Sequence, residues 1–229
     1  LDGDQNTDLL SISNILDNAQ QTRRARIDSW RNAGDGQFSK GAVNWVDGII
    51  DAATVVDVQA DGRIDLFLTR RMDGNSLSSS PLLLSSNAQG GFTPLNDAVL
   101  PNIDRGPMVV RDLNKDGFPD LMVLNANQNQ LIVKMNQQDG TFSAGTSYAV
   151  GLSPTFITAG DIDGDQDLDL VVSNSFGNDL SILRNQGTGT FSNEQRIGPV
   201  SGPGATALID IDGDQKLDLL ALSGVGNAL

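Results

Sequence analysis

The chain has 229 residues, a net charge of −14, 38% hydrophobic residues, 5% aromatics and 25 glycines. It holds no Cys and no His, which excludes disulfides and thiol chemistry and removes the usual general base and the usual transition-metal ligand. The acidity speaks against nucleic acid as a partner, and no apolar run approaches the ~18 residues of a membrane span. A glycine-rich, aromatic-poor chain of this size must fill its core with Val, Ile and Leu carried on many short strands.

In chain order, the sequence opens inside an acidic segment, LDGDQNTDLL from Leu1. The pattern returns as DVQADGRIDLFL from Asp57, DLNKDGFPDLMVL from Asp112, DIDGDQDLDLVV from Asp161 and DIDGDQKLDLLAL from Asp210. The closing acids Asp8, Asp65, Asp120, Asp169 and Asp218 stand 57, 55, 49 and 49 residues apart. What lies between them also repeats. A β-branched and leucine-rich run follows each loop, as at Leu168 to Ser173, then a polar turn such as Asn174 to Asn178. A second apolar strand comes next, as at Leu180 to Arg184, and alternation is visible in Leu131-Ile132-Val133-Lys134-Met135. A glycine-phenylalanine step then recurs at Gly36 to Phe38, Gly91-Phe92, Gly140 to Phe142 and Gly189 to Phe191. The following strand ends near Gly or Pro, and a last apolar strand such as Thr155 to Ala159 leads into the next loop.

This predicts four short antiparallel strands in each period of about 50 residues, which is the size of one propeller blade. The expected repeats are 1–48, 49–104, 105–153, 154–203 and a partial 204–229, within one all-β segment. About 17 strands are expected, as three, three sets of four, and two. The two ends do not complete one blade, so a piece of a longer propeller is expected.

The loops read Asp-x-[Asp/Asn]-x-Asp-x-x-x-Asp. Oxygens at positions 1, 3, 5 and 9, with a backbone carbonyl at 7, can wrap one hard cation, in the manner of the first part of an EF-hand loop. The fourth loop offers Asp161, Asp163, Asp165 and Asp169 with the Asp167 carbonyl; the fifth offers Asp210, Asp212, Asp214 and Asp218 with the Lys216 carbonyl. The third offers Asp112, Asn114, Asp116 and Asp120 with the Phe118 carbonyl. The second offers Asp57, Gln59, Asp61 and Asp65 with the Arg63 carbonyl, and the long Gln59 side chain weakens it. The first keeps Asp2, Asp4 and Asp8 with the Asn6 carbonyl. One such loop is explained by turn formation alone, since Asp-Gly pairs make turns. Five in register, holding eighteen of the 29 acids, point to Ca²⁺ at up to about five sites. No soft ligand is present, which disfavours zinc and copper. Extracellular calcium modules bind at roughly 10⁻⁴–10⁻³ M, too weakly to fill in cytosol, so an extracellular or cell-surface location is expected.

These residues resemble the FG-GAP/VCBS repeats of the integrin α-subunit propeller and of many bacterial surface and secreted proteins. The glycine-phenylalanine steps, the Gly/Pro steps and the acidic loops carry the resemblance along essentially the whole chain. It implies calcium in the hairpin loop between the first two strands of a blade, and a propeller of seven or eight blades. Family members include adhesins, lectins and domains attached to enzymes, so the fold does not fix a function.

Of the remaining features, Phe38, Phe92, Phe142 and Phe191 are expected in the core. Trp30 and Trp45 are read as packing residues, with sugar stacking as the alternative. Arg23, Arg24, Arg26, Arg70 and Arg71 are read as a solvated strand face, with an anionic glycan or acidic partner as the alternative. Asp73 to Pro81 is expected to form an extended contact loop. No catalytic constellation is visible. The leading expectation is a non-catalytic adhesion or recognition scaffold for protein or glycan. A lectin-like or non-catalytic segment of a secreted carbohydrate-active enzyme and a structural unit of a surface layer or filament are the alternatives, the last requiring assembly through the parent chain.

Overall fold

The computed structural model describes residues 6–17, 22–71, 78–87, 89–95, 103–104 and 107–224. It is all-β: among the described residues, eighteen strands form antiparallel sheets in which all but one strand pair with a neighbour in sequence. The first sheet has three strands, β1 (Leu9–Asp17), β2 (Thr22–Asn32) and β3 (Phe38–Asp47). The second runs β4 (Ile49–Val56), β5 (Asp65–Arg71), β6 (Ser78–Ser86) and β7 (Phe92–Pro94), with the two-residue β8 (Ile103–Asp104) pairing β6. The third holds β9 (Met108–Arg111), β10 (Asp120–Asn125), β11 (Gln130–Lys134) and β12 (Thr146–Ala149). The fourth holds β13 (Pro154–Gly160), β14 (Asp169–Asn174), β15 (Asp179–Leu183) and β16 (Gln195–Ile197), and β17 (Pro203–Ile209) pairs β18 (Asp218–Ser223) in the last. The four-stranded antiparallel sheet expected for each full period is thus present. No helix among the described residues is long and apolar enough to cross a membrane.

The chain divides into two compact units, Leu1–Arg105 with Gln138–Thr141, and Gly106–Gln137 with Phe142–Leu229. In the first unit, Ala25 and Ile27 of the first sheet pack with Leu66, Leu68, Leu82, Leu84 and Phe92 of the second. Polar ties reinforce that contact. Asn14 Nδ2 donates to the Ile50 carbonyl at 3.0 Å and Asn14 Oδ1 accepts from Ile50 N–H at 2.9 Å, so one amide replaces a strand partner.

In the second unit, Met122, Leu124, Leu131 and Val133 of the third sheet meet Leu170, Val172, Leu183 and Phe191 of the fourth. The other face of the fourth sheet, Val171, Leu180 and Ile182, is covered by Leu208, Leu219 and Ala221 of the last. Every residue of β14 is therefore buried, as expected of a strand with sheets on both sides. Close approach is bought by glycine at two places. A Cβ on Gly189, whose φ is +70°, would lie 2.6 Å from Met135 Cε, and one on Gly160 would lie 2.8 Å from Leu208 Cδ1.

Three sequence expectations need correction. Phe92, Phe142 and Phe191 are buried, but Phe38 is 51% exposed. Phe191 has Tyr148 of the preceding sheet set edge-on at 5.4 Å, whereas Phe38 opens β3 with half of its surface exposed. Trp45 is 46% exposed on β3, with the Arg24 guanidinium 5.3 Å from its ring centre. Ser78–Ser80 belong to β6 and pair with β5 and β8 instead of forming a loop; residues 73–77 lie outside the described residues. Arg24 pairs across to Asp47 of β3 at 3.0 Å and Arg71 across to Asp51 of β4 at 2.8 Å, whereas Arg26 pairs along β2 with the buried Asp28 at 2.6 Å.

Candidate metal centres

The second to fifth acidic loops each join the first two strands of a sheet, at β4–β5, β9–β10, β13–β14 and β17–β18. Their backbones follow one plan. Positions 4 and 6 both lie in the left-handed region: Ala60 and Gly62, Lys115 and Gly117, Gly164 and Gln166, Gly213 and Gln215. Two such residues separated by one force the chain into a tight coil. The side chain at position 1 sits inside the coil and accepts its amides. Asp57 takes Asp61 and Gly62 N–H at 3.1 and 2.8 Å, and Asp112 takes Asp116 and Gly117 N–H at 3.2 and 2.9 Å. Asp161 takes Gly164 and Gln166 N–H at 2.7 and 2.9 Å, and Asp210 takes Gly213 and Gln215 N–H at 2.7 and 2.9 Å. Position 5 accepts the N–H of position 7 at 2.9 Å in all four: Arg63 to Asp61, Phe118 to Asp116, Asp167 to Asp165 and Lys216 to Asp214.

The closing acid does something the sequence does not announce. Asp65, Asp120 and Asp169 are buried at 1%, 0% and 0% exposure. One oxygen of each accepts the position 2 N–H, from Val58 at 3.1 Å, Leu113 at 2.9 Å and Ile162 at 3.1 Å. The other accepts an N–H at or just past the end of the third strand, from Ser86 at 3.0 Å, Asn136 at 2.8 Å and Asn185 at 2.9 Å. Asp8 takes Asn32 N–H at 2.9 Å in the same way. Asp65, Asp120 and Asp169 thus each tie the acidic loop to the far end of the third strand of the sheet. Burial pushes the Asp65, Asp120 and Asp169 carboxyls above the ordinary carboxylate value, and these backbone N–H groups pull them back. A readable signal exists in hindsight: Asn32, Asn136 and Asn185 each stand six residues before Phe38, Phe142 and Phe191.

The loops differ in what they do with charge. In the fourth, Asp161, Asp163 and Asp169 bring carboxylate oxygens within 4.8 Å of one another, and Asp210, Asp212 and Asp218 do so in the fifth. Asp165 and Asp214 stay outside these trios. Among the described residues, the second and third loops bring no three acids together in this way. In the third, Asn114 Nδ2 donates to Asp116 at 3.1 Å. In the second, the Gln59 carbonyl accepts from Ser85 Oγ at 2.8 Å, and the Arg63 guanidinium pairs with Asp61 inside the loop. Of the first loop, Asp2 and Asp4 lie outside the described residues, while Asn6 and Asp8 lie within them. The Asp167 side chain pairs with Lys115 of the third loop at 2.7 Å, and that hydrogen bond raises the lysine above its ordinary value.

Three carboxylates so close repel by on the order of 3 kcal/mol per pair at an effective dielectric of about 20, and less where solvent reaches them. The donors are all hard oxygen, so the trios fit a divalent hard cation and not a thiophilic one. Comparison with known proteins agrees with this division of the chain. No curated protein matches the sequence. Among solved structures, the chain is similar to a chain of the Photorhabdus luminescens Tc holotoxin pore, at 17% identity and a TM-score of 0.38, covering 86% of this chain and 12% of that one. The family of FG-GAP-like repeats matches at residues 112–172 and again at 161–221, windows offset by the same 49 residues that separate the closing acids and opening on Asp112 and Asp161. From the third acidic loop to the β17–β18 hairpin, the chain is similar to FG-GAP-like repeats.

Proposed function

We propose that this chain is a calcium-stabilised segment of a β-propeller that serves as an extracellular recognition scaffold for a protein or glycan. The observation that carries the reading is the recurrence of a carboxylate trio at the same place in two successive hairpins, Asp161, Asp163 and Asp169, then Asp210, Asp212 and Asp218. Calcium bound there would neutralise the trio and hold the hairpin's coil, with Asp169 and Asp218 linking the ion to the strand that follows. The ions are structural in this reading, because each trio is part of a turn whose backbone amides are already satisfied. At millimolar calcium each filled loop would contribute on the order of 1 kcal/mol. Recognition falls to the opposite ends of the sheets, where Phe176 stands 80% exposed on the β14–β15 turn beside Leu152 at 55%.

Calorimetric titration of the chelated chain with calcium, followed by thermal melts with and without chelator, tests this. Two bound ions or more and a calcium-dependent rise in Tm are expected. No binding heat and an unchanged Tm at millimolar calcium would sink it. A glycan array probed with and without chelator separates glycan from protein recognition, and Phe176→Ser should abolish binding to either without altering calcium uptake.

A further inference from the structure

The fourth and fifth loops share their trio but not its surroundings. At the end of β15, Arg184 places Nη1 2.9 Å from Asp163 Oδ2 and 3.5 Å from Asp169 Oδ2. The guanidinium is held there by backbone: the Arg184 carbonyl accepts Ser192 N–H at 2.8 Å, and the next residue, Asn185, donates to Asp169 at 2.9 Å. Among the described residues, no Lys or Arg stands within ion-pair distance of Asp210, Asp212 or Asp218; Lys216 lies 3.8 Å from Asp214, outside the trio. The same strand position overlies loop position 3 in the second sheet, where Ser85 bonds Gln59. Met135 occupies it in the third, its carbonyl taking Ser143 N–H at 2.8 Å as that of Arg184 takes Ser192.

We infer that Arg184 is a built-in counter-cation of the fourth loop, which competes with calcium for Asp163 and Asp169 and makes this loop the weaker of the two sites. The inference rests on the reading of the trios as calcium sites. A calcium ion about 2.3–2.6 Å from those oxygens and a guanidinium nitrogen on the same oxygens would repel each other strongly. To bind, calcium must displace the guanidinium or tolerate it. Without calcium, Arg184 offsets part of the charge of the fourth trio, whereas no Lys or Arg among the described residues does so for the fifth.

The test uses the intact chain with Asp212→Ala, which leaves the fourth trio for calorimetric titration with calcium. Arg184→Gln should tighten that site on the order of tenfold, a value that allows for solvent screening of a partly exposed pair, and Arg184→Lys should leave it close to the parent. In chelator, Arg184→Gln should melt lower than the parent, and saturating calcium should erase the difference. Arg184→Met, which puts the residue of the third sheet in the fourth, serves the same purpose if the glutamine variant does not fold. Calcium binding whose affinity is unchanged or weakened by Arg184→Gln or Arg184→Met overturns the competition while leaving the calcium reading intact. No calcium binding in the parent or any variant overturns both.

Discussion

The second and fourth acidic loops have the same backbone and opposite solutions to the same charge problem. Both coil through two left-handed residues, both fill the coil with the first carboxylate, and both bury the last one against two N–H groups. In the second loop, however, position 3 is Gln59, satisfied by Ser85, and position 7 is Arg63, paired with Asp61. The cation is covalently part of the loop. In the fourth, position 3 is Asp163, position 7 is Asp167, and the carboxylates need charge from elsewhere. The same turn is therefore made by a loop that carries the acid trio and by one that does not. What the extra acids add is a demand for positive charge, met inside the second loop by Arg63 and, in the fourth, reached only from another strand by Arg184.

The strongest break in this comparison is the shared anchor. Asp65→Ala and Asp169→Ala should each cost about 3 kcal/mol in chelator, because each strands two buried N–H groups, and denaturant midpoints will show it. A loss in one variant and not in the other would mean that the anchor is not common to both loops. Next comes the ion. Chelation should cost about 1 kcal/mol for each filled loop, and Asp163→Ala or Asp212→Ala should each remove one calcium from the stoichiometry, whereas Asp61→Ala should remove none. The comparison is sharpened by conversion: Gln59→Asp with Arg63→Gln gives the second loop the fourth loop's need, and the count of bound calcium should rise by one. Arg63→Gln alone is the smallest change. It removes one partly exposed ion pair, so a loss of up to about 1 kcal/mol without any change in calcium is expected.

The sheets were legible in the sequence because each acidic loop is followed by a β-branched run of strand length and the spacing repeats. The placement of the acidic loops in hairpins was legible too, but not that Asp165 and Asp214 stay outside the trios, because alternate carboxylates on a tight turn need not all face one side. The balancing charges were not. Arg184 is 21 residues from Asp163, and Ser85 is 26 residues from Gln59; whether they meet depends on the register between strands, which composition does not encode. The buried anchors were missed for a related reason. An Asp that accepts backbone N–H groups looks the same in sequence as one that awaits a metal, and nothing in the spacing says that Asp120 is buried and caps Leu113 and Asn136. Phe38 misled in the opposite direction: the repeat motif implies burial, yet the side chain stands half exposed at the start of β3.

The amide of Asn185 also reaches back across the sheets, donating from Nδ2 to the carbonyl of Leu113 at 2.8 Å, 72 residues earlier. Ser153 N–H does likewise toward Asn129 at 2.8 Å, and Gly202 N–H toward Asn178 at 2.8 Å. These fasteners are supplied to or by the turn just completed. On a ribosome, a nascent repeat of this kind latches onto one already finished, so maturation can advance from the amino end with little of the apolar face left waiting.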